Sequence, residues 1–356
     1  MRVAAELHHA FLGWFAINAR PLPWRQGYDP YQVWLSEIML QQTQMDRGVI
    51  YFKRWVERFP GVEAVAAASE EEILKCWEGL GYYSRARHLL ATAKRIVQAH
   101  AGRVPDTLPE LLALPGIGQY TARAILSIAF QRDYPVVDGN VERLFARLFA
   151  IDEPLKSTAV RARIGDLADS LLPRGQAREW NQALMELGAL VCVRGAPNCQ
   201  LCPATTACQS FQTGSTLTRP VGSAARKTVP VRRVTAVIVD NGKIYVQQRA
   251  PGSRWAFLWE FPGSRLEEGE EPAEVLAGKI QQETGLPVAI ESPLPTVTHN
   301  YTKYRATIHP FLCRLQGAPP PEPNRICRWL PLNDLNDLAF SSGHRQVIDS
   351  LPDFEK

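Results

Sequence analysis

The sequence predicts a multidomain fold, an all-α domain followed by a smaller α+β domain. Three observations carry this. Apolar residues recur at helical spacing between about residues 6 and 190. From Gln209 to Arg233 the periodicity stops, and Ser, Thr, Gly, Pro and basic residues mark a linker. Beyond it the period shortens, as in Val234–Val239 and Lys243–Arg249, two β-rich runs.

The elements follow in order. Ala10, Trp14 and Ile17 recur at helical spacing, then Val33, Ile38, Leu40 and Met45, then Ile73, Leu74, Trp77 and Leu80. Tyr120–Phe130, Val141–Phe149, Ile164–Leu172 and Trp180–Cys192 continue the series, with Pro60-Gly61, Pro115-Gly116 and Pro173 as punctuation. In the second domain Asp240-Asn241-Gly242 is a hairpin signal between its first two strands. Pro272–Thr284 reads as one helix and Val297–Leu315 as one long β segment. The boundaries expected are 1–208 for the helical domain, 209–233 for the linker and 234–356 for the α+β domain.

Composition narrows the class. The 356 residues are 46% hydrophobic and 21% charged, which excludes wholesale disorder and lets each half bury a core. Fully apolar runs such as Leu111–Pro115 and Ala189–Val193 fall far short of a membrane span of ~18 residues. The first residues include Glu6 and lack a signal-peptide pattern, so a soluble intracellular protein is expected. Net charge is only +4, yet 211–233 holds Arg219, Arg226, Lys227, Arg232 and Arg233 and no acid. That segment reads as a strap lying on a polyanion or, more simply, as a solvated linker.

Cys192, Cys199, Cys202 and Cys208 follow one helix at the spacing C-x6-C-x2-C-x5-C. Soft sulfur ligands packed in one short loop suit a [4Fe-4S] cluster. Structural zinc is the alternative, although zinc usually takes two separated C-x2 pairs. Leu114-Pro115-Gly116-Ile117-Gly118 reads as a hairpin between helices (near 109–130), with Leu114 and Ile117 as anchors and Gly116 and Gly118 letting backbone N–H groups approach an anion. Such a helix–hairpin–helix clamps phosphate backbone without reading sequence. An ordinary helix–turn–helix connection is the plain alternative.

The hairpin, Asp138 about one helix later and the four-cysteine loop resemble the helix–hairpin–helix DNA glycosylases with an iron–sulfur cluster, the endonuclease III superfamily. Leu22-Pro23-Trp24-Arg25, Ser36–Gln44, Gly79-Leu80-Gly81-Tyr82-Tyr83 and Val137-Asp138-Gly139-Asn140-Val141 are similar to the adenine DNA glycosylase family within it. The resemblance covers essentially the whole chain. It implies a cytoplasmic, nucleoid-associated monomer with double-stranded DNA as partner, and removal of adenine mispaired with 8-oxoguanine and also with guanine.

The resemblance also distributes roles. It makes Glu37 the general acid, and burial among Leu35, Ile38 and Met39 would keep its proton available. Alone, Glu37 would read as a solvent-facing helix acid. Asp138 becomes the carboxylate that steadies the sugar cation, and a helix cap is its plain reading; both roles are compatible. Asn140 would hold the sugar and phosphate beside it. Where strand-nicking relatives carry a lysine, this chain has Tyr120, with no lysine between Gly102 and Lys156, so no Schiff-base chemistry is expected. The flipped adenine would sit among Arg20, Leu22, Trp24, Arg25 and Gln182. Gln42, Leu80 and Tyr82 would wedge into the duplex. For Trp24 and Tyr82 ordinary core packing is the competing reading.

The α+β domain resembles a Nudix fold, which implies recognition of the opposite base. Tyr301-Thr302-Lys303 stands where relatives carry a Phe-Ser-His-like triplet, with Lys303 suited to phosphate. Along the Nudix motif Ser264 replaces a glycine, and Lys279 and Gln282 replace two acids that would hold magnesium. Hydrolase chemistry is therefore expected to be lost. Three alternatives stay open at this point: an endonuclease III-like lyase on oxidised pyrimidines, opposed by Tyr120; a Nudix hydrolase of oxidised nucleotides, opposed by Lys279 and Gln282; and a non-catalytic damage binder, opposed by Glu37 and Asp138.

Overall fold

In a computed structural model the described residues are 2–222, 227–253, 255–317 and 325–352; Arg226 of the basic segment lies outside them. The helices up to the cysteine loop are α1 (Arg2–Asn18), α2 (Pro30–Leu40), α3 (Met45–Arg58), α4 (Val62–Ala67), α5 (Glu70–Trp77) and α6 (Ser84–His100). They continue as α7 (Leu108–Leu112), α8 (Gln119–Ile128), α9 (Gly139–Leu148), α10 (Thr158–Ser170), α11 (Ala177–Leu190) and the short α12 (Gln209–Gln212). Two expectations shift here. α1 buries Leu7, Phe11 and Phe15, four residues apart, while Ile17 falls on the opposite face and is 85% exposed. Met45 opens α3 rather than continuing α2, because the chain turns at Gln42, whose φ is +58°.

The chain packs as two compact units, Met1–Ala67 with His88–Ala224, and Ala68–Arg87 with Ala225–Lys356. In the first, α1, α9, α10 and α11 close around Phe11, Phe145, Trp180 and Leu187. Local chemistry starts the helices that matter. Asp29 caps α2 by accepting from the Gln32 N–H at 2.9 Å, with Pro30 in its first turn. Asp138 caps α9. In the hairpin before α8, Leu114 and Ile117 are buried, which fixes the turn in the core and leaves only their backbone to offer outward. Gly116 has φ +75°, and a Cβ there would press on the His88 ring, so no other residue fits.

The second unit is built on an eight-stranded sheet among the described residues: β1 (Val229–Asp240), β2 (Lys243–Gln248), β3 (Trp259–Glu260), β4 (Gly263–Arg265), β5 (Val288–Pro293), β6 (Val297–Tyr301), β7 (Tyr304–Leu315) and β8 (Cys327–Leu330). β1 and β7 pair in parallel from Val229↔Tyr304 to Val239↔Arg314; the other pairings between these strands are antiparallel. Alternation along β1 sends Val234, Ala236 and Ile238 to the face covered by α13 (Pro272–Thr284), and Val237 to the face that packs with Val347 of α14 (Ser342–Asp349). The hairpin signal holds, with Asn241 and Gly242 both at positive φ and Asp240 opposite Lys243.

Three readings are corrected. Val297–Leu315 is two antiparallel strands, not one, because the chain reverses at Thr302-Lys303, where Thr302 takes φ +50°. β1 begins at Val229, so the end of the segment read as linker is already sheet. Residues 68–87, read with the helices, pack with the C-terminal residues, and the contacts give the reason. The Glu78 carboxylate accepts from the Phe340 N–H at 3.1 Å and from Arg345 Nε at 2.9 Å, Tyr83 Oη donates to the Phe340 carbonyl at 3.1 Å, and Arg328 makes two bonds to Glu71. No helix among the described residues is long and apolar enough to cross a membrane.

Candidate active site

One cavity of about 730 Å³ in the first unit is lined by Glu37, Tyr120, Asp138 and Asn140, and also by Arg20, Leu22, Trp24, Arg25, Gln42 and Gln182. These residues come from α2, the turns flanking it, the start of α8, the start of α9 and the middle of α11.

Glu37 stands on α2 with its carboxyl facing this cavity. Desolvation raises it to about 7; the Tyr120 hydrogen bond opposes the rise and the charge of Asp138 adds to it. Tyr120 Oη donates to Glu37 Oε2 at 3.0 Å. The solvent-facing alternative for Glu37 does not describe this carboxyl. Burial and both carboxylates in turn push the Tyr120 phenol up, so it stays a donor.

Asp138 does two things at once. Its Oδ1 accepts the N–H groups of Asn140 and Val141 at 2.9 and 2.8 Å, the helix-cap reading, while the same carboxylate lines the cavity. Oδ2 takes the Asn140 side-chain amide at 2.8 Å. Burial raises its carboxyl, and those three hydrogen bonds and the Arg143 charge resist the rise.

Arg143 and Arg147 were not singled out in the sequence. Arg143 donates to Asn140 Oδ1 at 2.8 Å and to the Cys192 carbonyl at 2.8 Å, so a chain of hydrogen bonds runs from Asp138 to the first cysteine. Arg147 is buried and donates to the carbonyls of Val193, Gly195, Thr216 and Arg219 and to Cys192 Sγ at 3.3 Å. Cys192, Cys199, Cys202 and Cys208 form no disulfide and line one cavity walled by Leu144, Leu148 and Phe211. As the side chains stand, no group of three or more His, Cys, Asp or Glu among the described residues could hold a single metal ion. Four sulfur donors around one apolar cavity are the donor chemistry that an iron–sulfur cluster takes.

Glu186 is the other residue that sequence reading missed. Its carboxylate is buried and accepts from Arg20 Nε at 2.7 Å, Arg20 Nη2 at 2.8 Å and Arg25 Nη2 at 3.1 Å. Despite the desolvation, the two guanidinium groups hold it down at about 2. Arg25 Nε also donates to Gln182 Oε1 at 2.8 Å, and the Gln182 amide donates to Tyr28 Oη. Arg20, Arg25 and Gln182 thus form a braced wall. Trp24 is buried with its ring on Phe52, centroids 5.0 Å apart, so for it the packing reading holds; Tyr82 is 44% exposed, so for it the packing reading fails.

A second cavity, of about 510 Å³ and wholly within the second unit, is lined by Leu80, Tyr82, Arg87, His299, Tyr301 and Thr302 among others. Tyr301 packs edge-on against Trp255 at 4.8 Å. Lys303 does not line it; its ammonium lies 5.5 Å from the Tyr304 ring centre. Gln42, Tyr82 and Thr302 are among the residues that hold positive φ without being glycine.

Helices joined by a short hairpin, with two carboxylates and a tyrosine in one cavity, match the base-excision DNA glycosylases in sequence and fold. Residues 35–167 match the HhH-GPD superfamily of base excision DNA repair proteins, and 234–350 match the NUDIX domain. The chain is 33% identical to the adenine DNA glycosylase of Mus musculus over 95% of its own length and 76% of that protein's. It is 42% identical to the one from Mycobacterium tuberculosis over 54% and 64%. A thermostable thymine-DNA glycosylase superposes with TM-score 0.54 at 26% identity, over 60% of this chain and 98% of that one. The chain belongs to the adenine DNA glycosylase family.

Proposed function

We propose that this enzyme hydrolyses the N-glycosidic bond of adenine in duplex DNA where the opposite base is 8-oxoguanine or guanine. The observation that carries the reading is the pairing of a Glu37 carboxyl raised to about 7 with the capped Asp138 in one cavity. Glu37 gives its proton to a ring nitrogen of the flipped adenine as the bond to the sugar breaks. Asp138 stays anionic beside the cationic sugar, and its three hydrogen bonds fix its orientation. Water then adds its oxygen to the sugar carbon, and the released proton restores the acid. Gln42 and the hairpin backbone at Gly116 and Gly118 meet the duplex; Leu114 and Ile117 serve as its anchors.

The test is a panel of duplexes carrying adenine opposite 8-oxoguanine, guanine or thymine, with free adenine measured directly. Release from the first two and not the third is expected; release from all three equally would refute the reading. In the same assay strand breaks should appear only after alkali, because Tyr120 offers no amine for a Schiff base. A stoichiometric borohydride adduct would contradict this.

The four cysteines fit an iron–sulfur cluster, which Cys192, Cys199, Cys202 and Cys208 would hold. When bound it supplies a covalent tie across the loop and a redox couple. The purified protein should be brown, with about four iron and four sulfide per chain. Stoichiometric zinc without iron would overturn the assignment.

Recognition of 8-oxoguanine falls to the cavity at Tyr82, Tyr301 and Thr302, where a hydroxyl and backbone groups stand within one concave wall. Replacing Tyr301 and Thr302 together by Ala should narrow the preference for 8-oxoguanine over guanine while excision persists. An unchanged preference would move recognition to the helical residues. Lys303→Ala should weaken binding across all duplexes alike and reduce its salt dependence.

A further inference from the structure

Residues 79–83 form the turn between α5 and α6, all of it within the second unit, and Tyr82 carries its half-exposed ring to the recognition cavity. Gly79 and Gly81 take φ +95° and +72°, and Tyr82 takes +47°, so the turn runs largely through the left-handed region. Its two glycines have the most backbone freedom to lose, and left alone such a turn would fray.

Its carbonyls are held instead. Arg85 Nη2 donates to the Leu80 carbonyl at 3.2 Å and to the Gly81 carbonyl at 3.1 Å. The Trp77 indole donates to the same Gly81 carbonyl at 3.0 Å, and the Arg85 backbone N–H donates to the Tyr82 carbonyl at 2.9 Å. The guanidinium centre lies 5.1 Å from the Trp77 ring centre and 5.6 Å from that of Tyr82, so one cation faces both rings. This placement is unfavourable for a side chain that only packs. Arg85 is 9% exposed and stands in the first turn of α6, where the helix dipole opposes a cation. Burial lowers its guanidinium to about 10, with the Tyr82 phenol opposing the drop, and the group stays charged at neutral pH. Leu80, Tyr82 and Tyr83 line the cavity and Arg85 does not.

We infer that Arg85 is a positioning residue for recognition of the opposite base, setting the Tyr82 ring through the carbonyls of Leu80 and Gly81. The inference rests on the recognition cavity proposed above. A guanidinium suits the task because its planar fork donates in fixed directions, whereas an ammonium is a point charge on a flexible stem. The cation against the ring face restricts the ring further. A ring set in advance loses little freedom on meeting a base, so its contact goes into telling one opposite base from another.

The experiment measures single-turnover adenine release opposite 8-oxoguanine and opposite guanine for Arg85→Lys, Tyr82→Ala and the double variant. Arg85→Gln, which puts no charge into the buried position, is run beside Arg85→Lys, and a cooperative melt verifies that each variant folds. Arg85→Lys and Arg85→Gln should each narrow the preference for 8-oxoguanine about tenfold, near the worth of one hydrogen bond to a charged group. Tyr82→Ala should narrow it at least as much. The double variant should stay within about twofold of Tyr82→Ala alone, because residues that act through one ring are not additive. A merely structural arginine would multiply its loss with that of Tyr82→Ala, or slow release from both duplexes alike, and either result overturns the inference. Failure of both Arg85 variants to fold would overturn it in the same sense. A preference kept in both Arg85 variants but narrowed in Tyr82→Ala overturns it while the role of the cavity stands. A preference kept in Tyr82→Ala refutes the role of Tyr82 in the cavity, and the inference falls with it.

Discussion

Glu37→Gln is expected to lower single-turnover adenine release by about 10²–10⁴-fold, the usual worth of a general acid. The amide matches the carboxyl in size and still accepts from Tyr120, so the cavity wall keeps its shape. What disappears is a proton that can be given away. Binding to a duplex with an adenine mispair should stay within about twofold, because phosphate contacts position the protein independently of the reacting base. Equal loss of binding and excision would point to a structural role instead. Excision at the wild-type rate would remove Glu37 from the mechanism.

The largest effect on stability should come from Glu186→Ala. The substitution leaves the Arg20 and Arg25 guanidinium groups facing each other without their shared anion, and breaking a buried pair in this way costs about 3–5 kcal/mol. Glu186→Gln should cost less, since it keeps the volume and an acceptor oxygen. The pH dependence has a definite sign. The Glu186 carboxyl lies near 2 in the folded protein against an ordinary 4.5, so its contribution is complete above about 4.5 and fades as pH falls toward 2. Urea unfolding at neutral pH and at pH near 3 measures both effects. A loss below about 1 kcal/mol for Glu186→Ala would mean that the bridge is replaced by water, as at exposed pairs.

Why the sequence revealed Glu37 and Asp138 but hid Glu186 follows from what patterns record. Spacing singles out the cysteines, which share a short loop; Glu37 and Asp138 stand out only because Ser36–Gln44 and Val137–Val141 resemble a known family's motifs, since alone they read as a surface acid and a helix cap. Glu186 lies in α11 between Met185 and Leu187, and nothing local tells what a buried acid there would pair with; only the fold brings Arg20 and Arg25 to it across more than 160 positions. Arg143 and Arg147 are hidden for the same reason. The turn at Thr302-Lys303 was missed because neither residue is a usual carrier of positive φ, so strain replaced the glycine signal. The exposed Ile17 shows that hydrophobic spacing gives a helix and its phase only when the whole stripe is weighed, since Leu7, Phe11 and Phe15 outvote it. Residues 68–87 joined the second unit through Glu78 and Arg345, a pair that no period can reveal.

The mechanism rests on one carboxyl raised to about 7, and the pH profile of adenine release under single-turnover conditions tests it most directly. Glu37 must be protonated to act, and its carboxyl lies near 7, so the rate should be level just below that value and fall about tenfold per unit above it. A rate that stays constant from pH 6 to about 9 would show that no such acid governs bond cleavage.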